Sequence, residues 1–115
     1  MTTKAEIIFL DKYITDRLDH MIQMYINHPR GKVISIALSF YFMQNKKVRN
    51  EYYKKAVNLI KHSSQLDFGN EYGSMRVDKV RTNLYVKEEL SAKLKGTNKK
   101  VVVLASLIYV GLIKS

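Results

Sequence analysis

The chain carries one short pattern twice, and this repeat limits its fold more than any other feature. In the second copy, Arg81-Thr82-Asn83-Leu84-Tyr85-Val86 alternates polar and less polar residues as a strand does, and Lys87-Glu88-Glu89-Leu90-Ser91-Ala92-Lys93-Leu94 follows with helical spacing. Gly96-Thr97 then leads into a strongly apolar helix, Val101 to Ile113. The first copy runs Glu6-Ile7-Ile8-Phe9-Leu10, then Asp11-Lys12-Tyr13-Ile14, then a second helix from Arg30 to Met43. A strand followed by two helices closes no core alone, because a lone strand leaves its backbone groups unpaired. Two copies that pair their strands solve this, and the sequence leaves open whether they pair within one chain or between two.

The repeat registers in two parts. Leu10, Ile14 and Leu18 match Val86, Leu90 and Leu94 at one constant spacing. Lys32, Val33, Ala37 and Tyr41 match Lys100, Val101, Ala105 and Tyr109 at a spacing eight residues shorter. The second copy therefore lacks about two turns of its first helix.

The first copy's strand, Thr3 to Leu10, is followed by Asp11 in N-cap position and by apolar steps at Ile14, Leu18, Met21, Ile22, Tyr25 and Ile26. Asn27-His28-Pro29-Arg30-Gly31 breaks that helix. From Val33 to Met43 almost no polar face remains, so this helix is expected to be central and buried. Lys46 to His62 reads as a further helix, and Ser63 to Met75 as a linker. The chain then divides into a first half over 1–45, a linking helix and loop over 46–76, and a second half over 77–115.

Charge points to a polyanionic partner. Of 115 residues, 20 are Lys or Arg and 10 are Asp or Glu, a net of +10. Residues 1–45 hold five basic and four acidic groups, residues 46–77 seven and three, and residues 78–115 eight and three. An excess of this size favours nucleic acid first and an anionic membrane second. It also serves solubility alone. With no cysteine there is neither a disulfide framework nor thiolate chemistry, which suits a reducing cytoplasm. The longest uncharged run, Val101 to Ile113, is too short to span a bilayer, and Met1-Thr2-Thr3-Lys4-Ala5-Glu6 has no signal-peptide pattern.

Catalytic constellations are missing from the sequence. His20, His28 and His62 are scattered, and Asp16 with His20 makes a surface pair without a third ligand. No Gly-x-Ser-x-Gly is present, and Gly69-Asn70-Glu71-Tyr72-Gly73 matches no phosphate or dinucleotide loop. No enzyme activity, cofactor or metal is expected.

With these residues in place, the chain resembles the ribbon–helix–helix superfamily, the Arc/MetJ/CopG class of DNA-binding proteins. The resemblance covers Lys4 to Asn45 and Lys79 to Lys114, and Ser35-Ile36-Ala37-Leu38 followed by Tyr41 is similar to the second helix of CopG-type members. It implies a mainly α fold with a short two-stranded antiparallel β-ribbon, in effect a tandem pseudo-dimer with an extra linking helix. In that family the ribbon enters the major groove of double-stranded DNA while four helices pack beneath.

Strand alternation agrees. With Leu84 and Val86 inward, Arg81, Asn83 and Tyr85 point outward together. Arg reads guanine and Asn reads adenine in the major groove. The matching positions of the first copy are Ala5, Ile7 and Phe9, an apolar set that suits thymine methyl groups or a protein partner, with Glu6 at a core position. The family also binds phosphate at the start of its second helix, which maps to Arg30, Gly31 and Lys32, with His28 beside them, and to Thr97, Asn98, Lys99 and Lys100.

Tandem single-chain members of the TraY type imply a relaxosome role: an accessory factor of plasmid conjugation beside a relaxase at a transfer origin. Other members are small autorepressors. A protein-interaction or inhibitor module remains the alternative class. Either a monomeric pseudo-dimer or a homo-oligomer is compatible with the sequence.

Overall fold

A computed structural model describes residues 3–68 and 79–114, with backbone alone for Tyr25 and residues 62–68. The chain is mainly helical with one two-stranded antiparallel sheet. The order is β1 (Thr3–Asp11), α1 (Lys12–Tyr25), α2 (Arg30–Phe42), α3 (Lys46–Phe68), β2 (Lys79–Lys87), α4 (Glu88–Leu94) and α5 (Lys99–Tyr109). Each strand thus leads into one helix and then a second. The helix after β2 has 7 residues and the helix after β1 has 14, a shortening close to the eight residues by which the two registers of the repeat differ.

The two strands pair with each other along their whole length, Thr3 opposite Lys87 and Asp11 opposite Lys79, with Ile7 and Asn83 at the centre. Strand periodicity explains which face is covered. Ile8, Leu10, Leu84 and Val86 are buried, while Ile7, Phe9, Arg81, Asn83 and Tyr85 between them are exposed. The buried set meets Val33, Ile34, Ala37 and Leu38 of α2 and nearly every residue of α5 from Val101 to Ile108. Each large aliphatic side chain so buried contributes about 1.5–3 kcal/mol. Ala37 and Ala105 are both fully buried, so the two central helices are lined by small side chains at matching positions. No helix among the described residues is long and apolar enough to cross a membrane.

Four sequence expectations are corrected. Asp11 sits at the N-cap of α1 but makes no side-chain cap; its Oδ1 accepts from Lys100 Nζ at 2.9 Å instead. α3 runs on past His62 to Phe68, because Ser63 to Phe68 holds no breaker and the first glycine is Gly69; the rest of the expected linker and the second copy's start near Val77 lie outside the described residues. α5 stops at Tyr109, where Gly111 takes a positive φ of 84° and the amides of Leu112 and Ile113 turn back to the Leu107 carbonyl. α2 is central but not fully enclosed: Ile36, Phe40 and Met43 stand half-exposed or more.

Candidate nucleic-acid interface

The outer face of the ribbon is built from three cross-strand pairs: Ala5 with Tyr85, Ile7 with Asn83, and Phe9 with Arg81. All six expected reading residues therefore lie on one exposed surface. Tyr85 is 68% exposed, Phe9 52% and Ile7 45%. Among the described residues, the side chains of Arg81, Asn83 and Tyr85 make no hydrogen bond or ion pair, so their polar atoms face outward uncommitted. Paired strands lie about 5 Å apart, and a ribbon of that width enters a major groove about 12 Å wide.

Apart from Lys4 at the strand's end, two polar residues interrupt the inner face at matching positions: Glu6 on β1 and Thr82 on β2. Each is held by a cation at the start of a helix. Lys99 Nζ, at the first residue of α5, donates to Glu6 Oε2 at 2.7 Å, and Ser91 Oγ donates to Glu6 Oε1 at 2.6 Å. Arg30 Nε, at the first residue of α2, donates to Thr82 Oγ1 at 3.1 Å, while Arg30 Nη1 reaches Asp19 Oδ2 at 2.6 Å. The Lys99 ammonium, with the Ser91 hydroxyl, lowers the Glu6 carboxyl below its ordinary value, and its burial opposes this only in part. Glu6, which the sequence shows as a break in the core pattern, is therefore a partly buried acid with both carboxylate oxygens satisfied.

These bonds place the starts of α2 and α5 on either side of the ribbon's middle. Gly31 lies so close to β2 that a Cβ there would collide with the Asn83 carbonyl oxygen. Ser35 Oγ donates to the Gly31 carbonyl at 2.9 Å and approaches the Tyr85 carbonyl at 3.4 Å. On the other side, Asn98 caps α5 by accepting from the Val101 amide, and Thr97 Oγ1 donates to the Leu94 carbonyl at 2.6 Å. No side chain caps α2. The first amides of both helices have no partner within the helix and carry its positive end.

Most residues expected to hold phosphate thus have structural partners. Arg30, Lys99 and Lys100 are in ion pairs with Asp19, Glu6 and Asp11. Gly31, Thr97 and Asn98 shape the helix starts. Lys32 alone of this set keeps an exposed ammonium with no ion pair among the described residues. Lys32 and the helix-start amides are thus the members of this set that carry no structural ion pair among the described residues. Sequence reasoning missed Ser91, Thr82 and Asp11 as partners; polar residues at inward strand positions were the signal that cations must reach them.

No family model, curated protein or solved structure matches this chain.

Proposed function

We propose that this chain binds double-stranded DNA by inserting its β1–β2 ribbon into the major groove, as a tandem ribbon–helix–helix pseudo-dimer in one chain. The observation that supports this reading most is the outer face itself: Arg81, Asn83 and Tyr85 stand exposed and uncommitted on a ribbon whose inner face packs on the core through Ile8, Leu10, Leu84 and Val86. Arg81 offers a bidentate donor to guanine, Asn83 a donor–acceptor pair to adenine, and Ile7 and Phe9 apolar surface to thymine methyl groups. Lys32 and the first amides of α2 and α5 flank the ribbon where the two phosphate backbones of a groove would pass. α3 then links the two halves.

The two strands differ in sequence, so the bound element has unlike halves and carries a direction. That property suits an accessory factor that orients a relaxase beside a strand-specific nick at a transfer origin; a small autorepressor is the other role the same fold supports. Selection of bound sites from random duplex DNA, followed by binding over a range of salt, tests the reading. A non-palindromic site bound by one chain, with affinity falling steeply with salt, is expected. A perfect inverted repeat bound by two chains overturns the single-chain ribbon, and no duplex binding at low salt overturns the function. The half-exposed Ile7 and Phe9 favour one second reading, a protein-binding ribbon, which the last outcome would select.

A further inference from the structure

The exposed face of α2 has a counterpart within the same molecule. α2 and α5 are packed against one another, and Val33 and Ala37 match Val101 and Ala105 as buried residues. In the same alignment Ile36 matches Leu104 and Phe40 matches Ile108. Ile36 is 44% exposed and Phe40 50%, whereas Leu104 is 0% and Ile108 7%. The difference is α3, which packs along α5. Its Ala56 is fully buried, and its Tyr52 ring meets Tyr109 edge-on with centroids 5.1 Å apart. Among the described residues no helix does this for α2.

The bare face has helical order. Ile36, Phe40 and Met43 follow i, i+4, i+7 spacing, and Met43 is 76% exposed. Beside this ridge lies a mainly apolar cleft of about 730 Å³ between α2, β2 and α4, whose wall includes Phe42, Val86 and Leu90. A contiguous apolar ridge beside a cleft marks an interaction surface more than scattered single residues do. Its rim carries Lys32, Lys87 and Lys93 against Glu89 alone. A second copy is a poor occupant. The chain carries a net charge of +10, and the α3 stripe that covers α5 is flanked by Lys47, Lys54 and Lys61.

We infer that the ridge and cleft on α2 bind an acidic amphipathic helix of another protein, which lies against α2 as α3 lies against α5. The cleft shares Lys32, Asn83 and Tyr85 with the ribbon's flank, whereas Phe40 lies off it, so the inference is tested without DNA and stands whether or not the ribbon reads DNA. Helix-in-groove recognition uses anchors at these spacings, and Met43 supplies an adaptable apolar contact.

The probe is a fluorescent peptide with the sequence of residues 46–61 in which every lysine and Arg49 is replaced by glutamate. Its unaltered parent and a scrambled peptide of the same acidic composition serve as controls, all titrated against the full chain. The acidic peptide is expected to bind with a dissociation constant on the order of micromolar, and both controls at least about tenfold more weakly. Phe40→Ser and Met43→Ser, both neutral and at exposed positions, should each weaken the acidic peptide by about tenfold with unchanged thermal melting. The proposal is overturned by absent or non-saturable binding, by equal binding of the scrambled peptide, or by binding that survives both substitutions. Sedimentation showing dimers at micromolar concentration that Phe40→Ser dissolves would also overturn it, in favour of a second copy.

Discussion

β1 and β2 occupy equivalent places in the sheet yet differ in what they can say to a partner. On the inner side the two are alike: Leu10 and Val86 are buried at matching positions, as are Ile8 and Leu84, and Glu6 and Thr82 are each held by a cation at a helix start. On the outer side Ala5, Ile7 and Phe9 face Tyr85, Asn83 and Arg81. Packing demands shape, and both strands meet it. Recognition demands donors and acceptors, and only β2 supplies them. Matching strands can therefore agree where they build the core and differ on the face left exposed.

The largest effects should test the likeness. Leu10→Ala and Leu84→Ala each remove a fully buried side chain, one from each strand, and each should cost about 2–5 kcal/mol in denaturant unfolding. A loss confined to one of them would break the equivalence of the strands. Next comes the difference. Arg81→Ala and Asn83→Ala should each weaken binding to the selected DNA site by about 1–3 kcal/mol without lowering the melting temperature, and Ile7→Ala and Phe9→Ala by about 1 kcal/mol or less. Equal losses on both strands would mean that the apolar strand reads as strongly as the polar one.

Smaller again is a pH effect peculiar to β1. The Glu6 carboxyl is lowered in the folded protein by Lys99 and Ser91. A lowered acid adds stability that is fully present above its unfolded value near 4.5 and is lost as pH falls through its folded value. Glu6→Gln should remove that contribution, about 1 kcal/mol, and flatten the acid limb of the stability curve below pH 4.5, while Thr82→Val leaves the limb unchanged. An acid limb identical in Glu6→Gln and the parent would count against the Glu6–Lys99 pair. The smallest effect concerns salt. Lys32→Ala should make the dependence of DNA affinity on salt shallower by about 0.9, the value of one phosphate contact. Lys99→Ala should lower stability and alter the slope little, since its ammonium is held by Glu6. The reverse order would mean that Lys99 leaves Glu6 for phosphate when DNA arrives.

The strands were legible because their alternation is local: Arg81, Asn83 and Tyr85 could be placed outward from Leu84 and Val86 alone. The caps and breakers at Pro29 and Gly96 were legible for the same reason. The ion pairs were not. Lys99 reaches Glu6 and Lys100 reaches Asp11 from the far end of the chain, and no local pattern distinguishes a lysine that will find an acid from one that will face solvent. The ridge on α2 was misjudged because periodicity ranks a helix by its own apolar content. Whether Phe40 is covered depends on where α3 goes, and α3 goes to α5. The extension of α3 to Phe68 shows a related limit, for Ser63 and Ser64 signal a loop only weakly when a covered helix precedes them.

The pairing of Thr3 with Lys87 has a consequence in time. During synthesis β1 emerges with Ile7, Ile8, Phe9 and Leu10 in a row and must wait for β2 before its backbone groups find partners. Contacts between segments so distant in sequence form late, because the intervening chain must first be brought together. The exposed face that both strands share is thus the last part of the sheet to exist. A chain halted before β2 has no half-built ribbon, only an unpaired strand with an aggregation-prone edge.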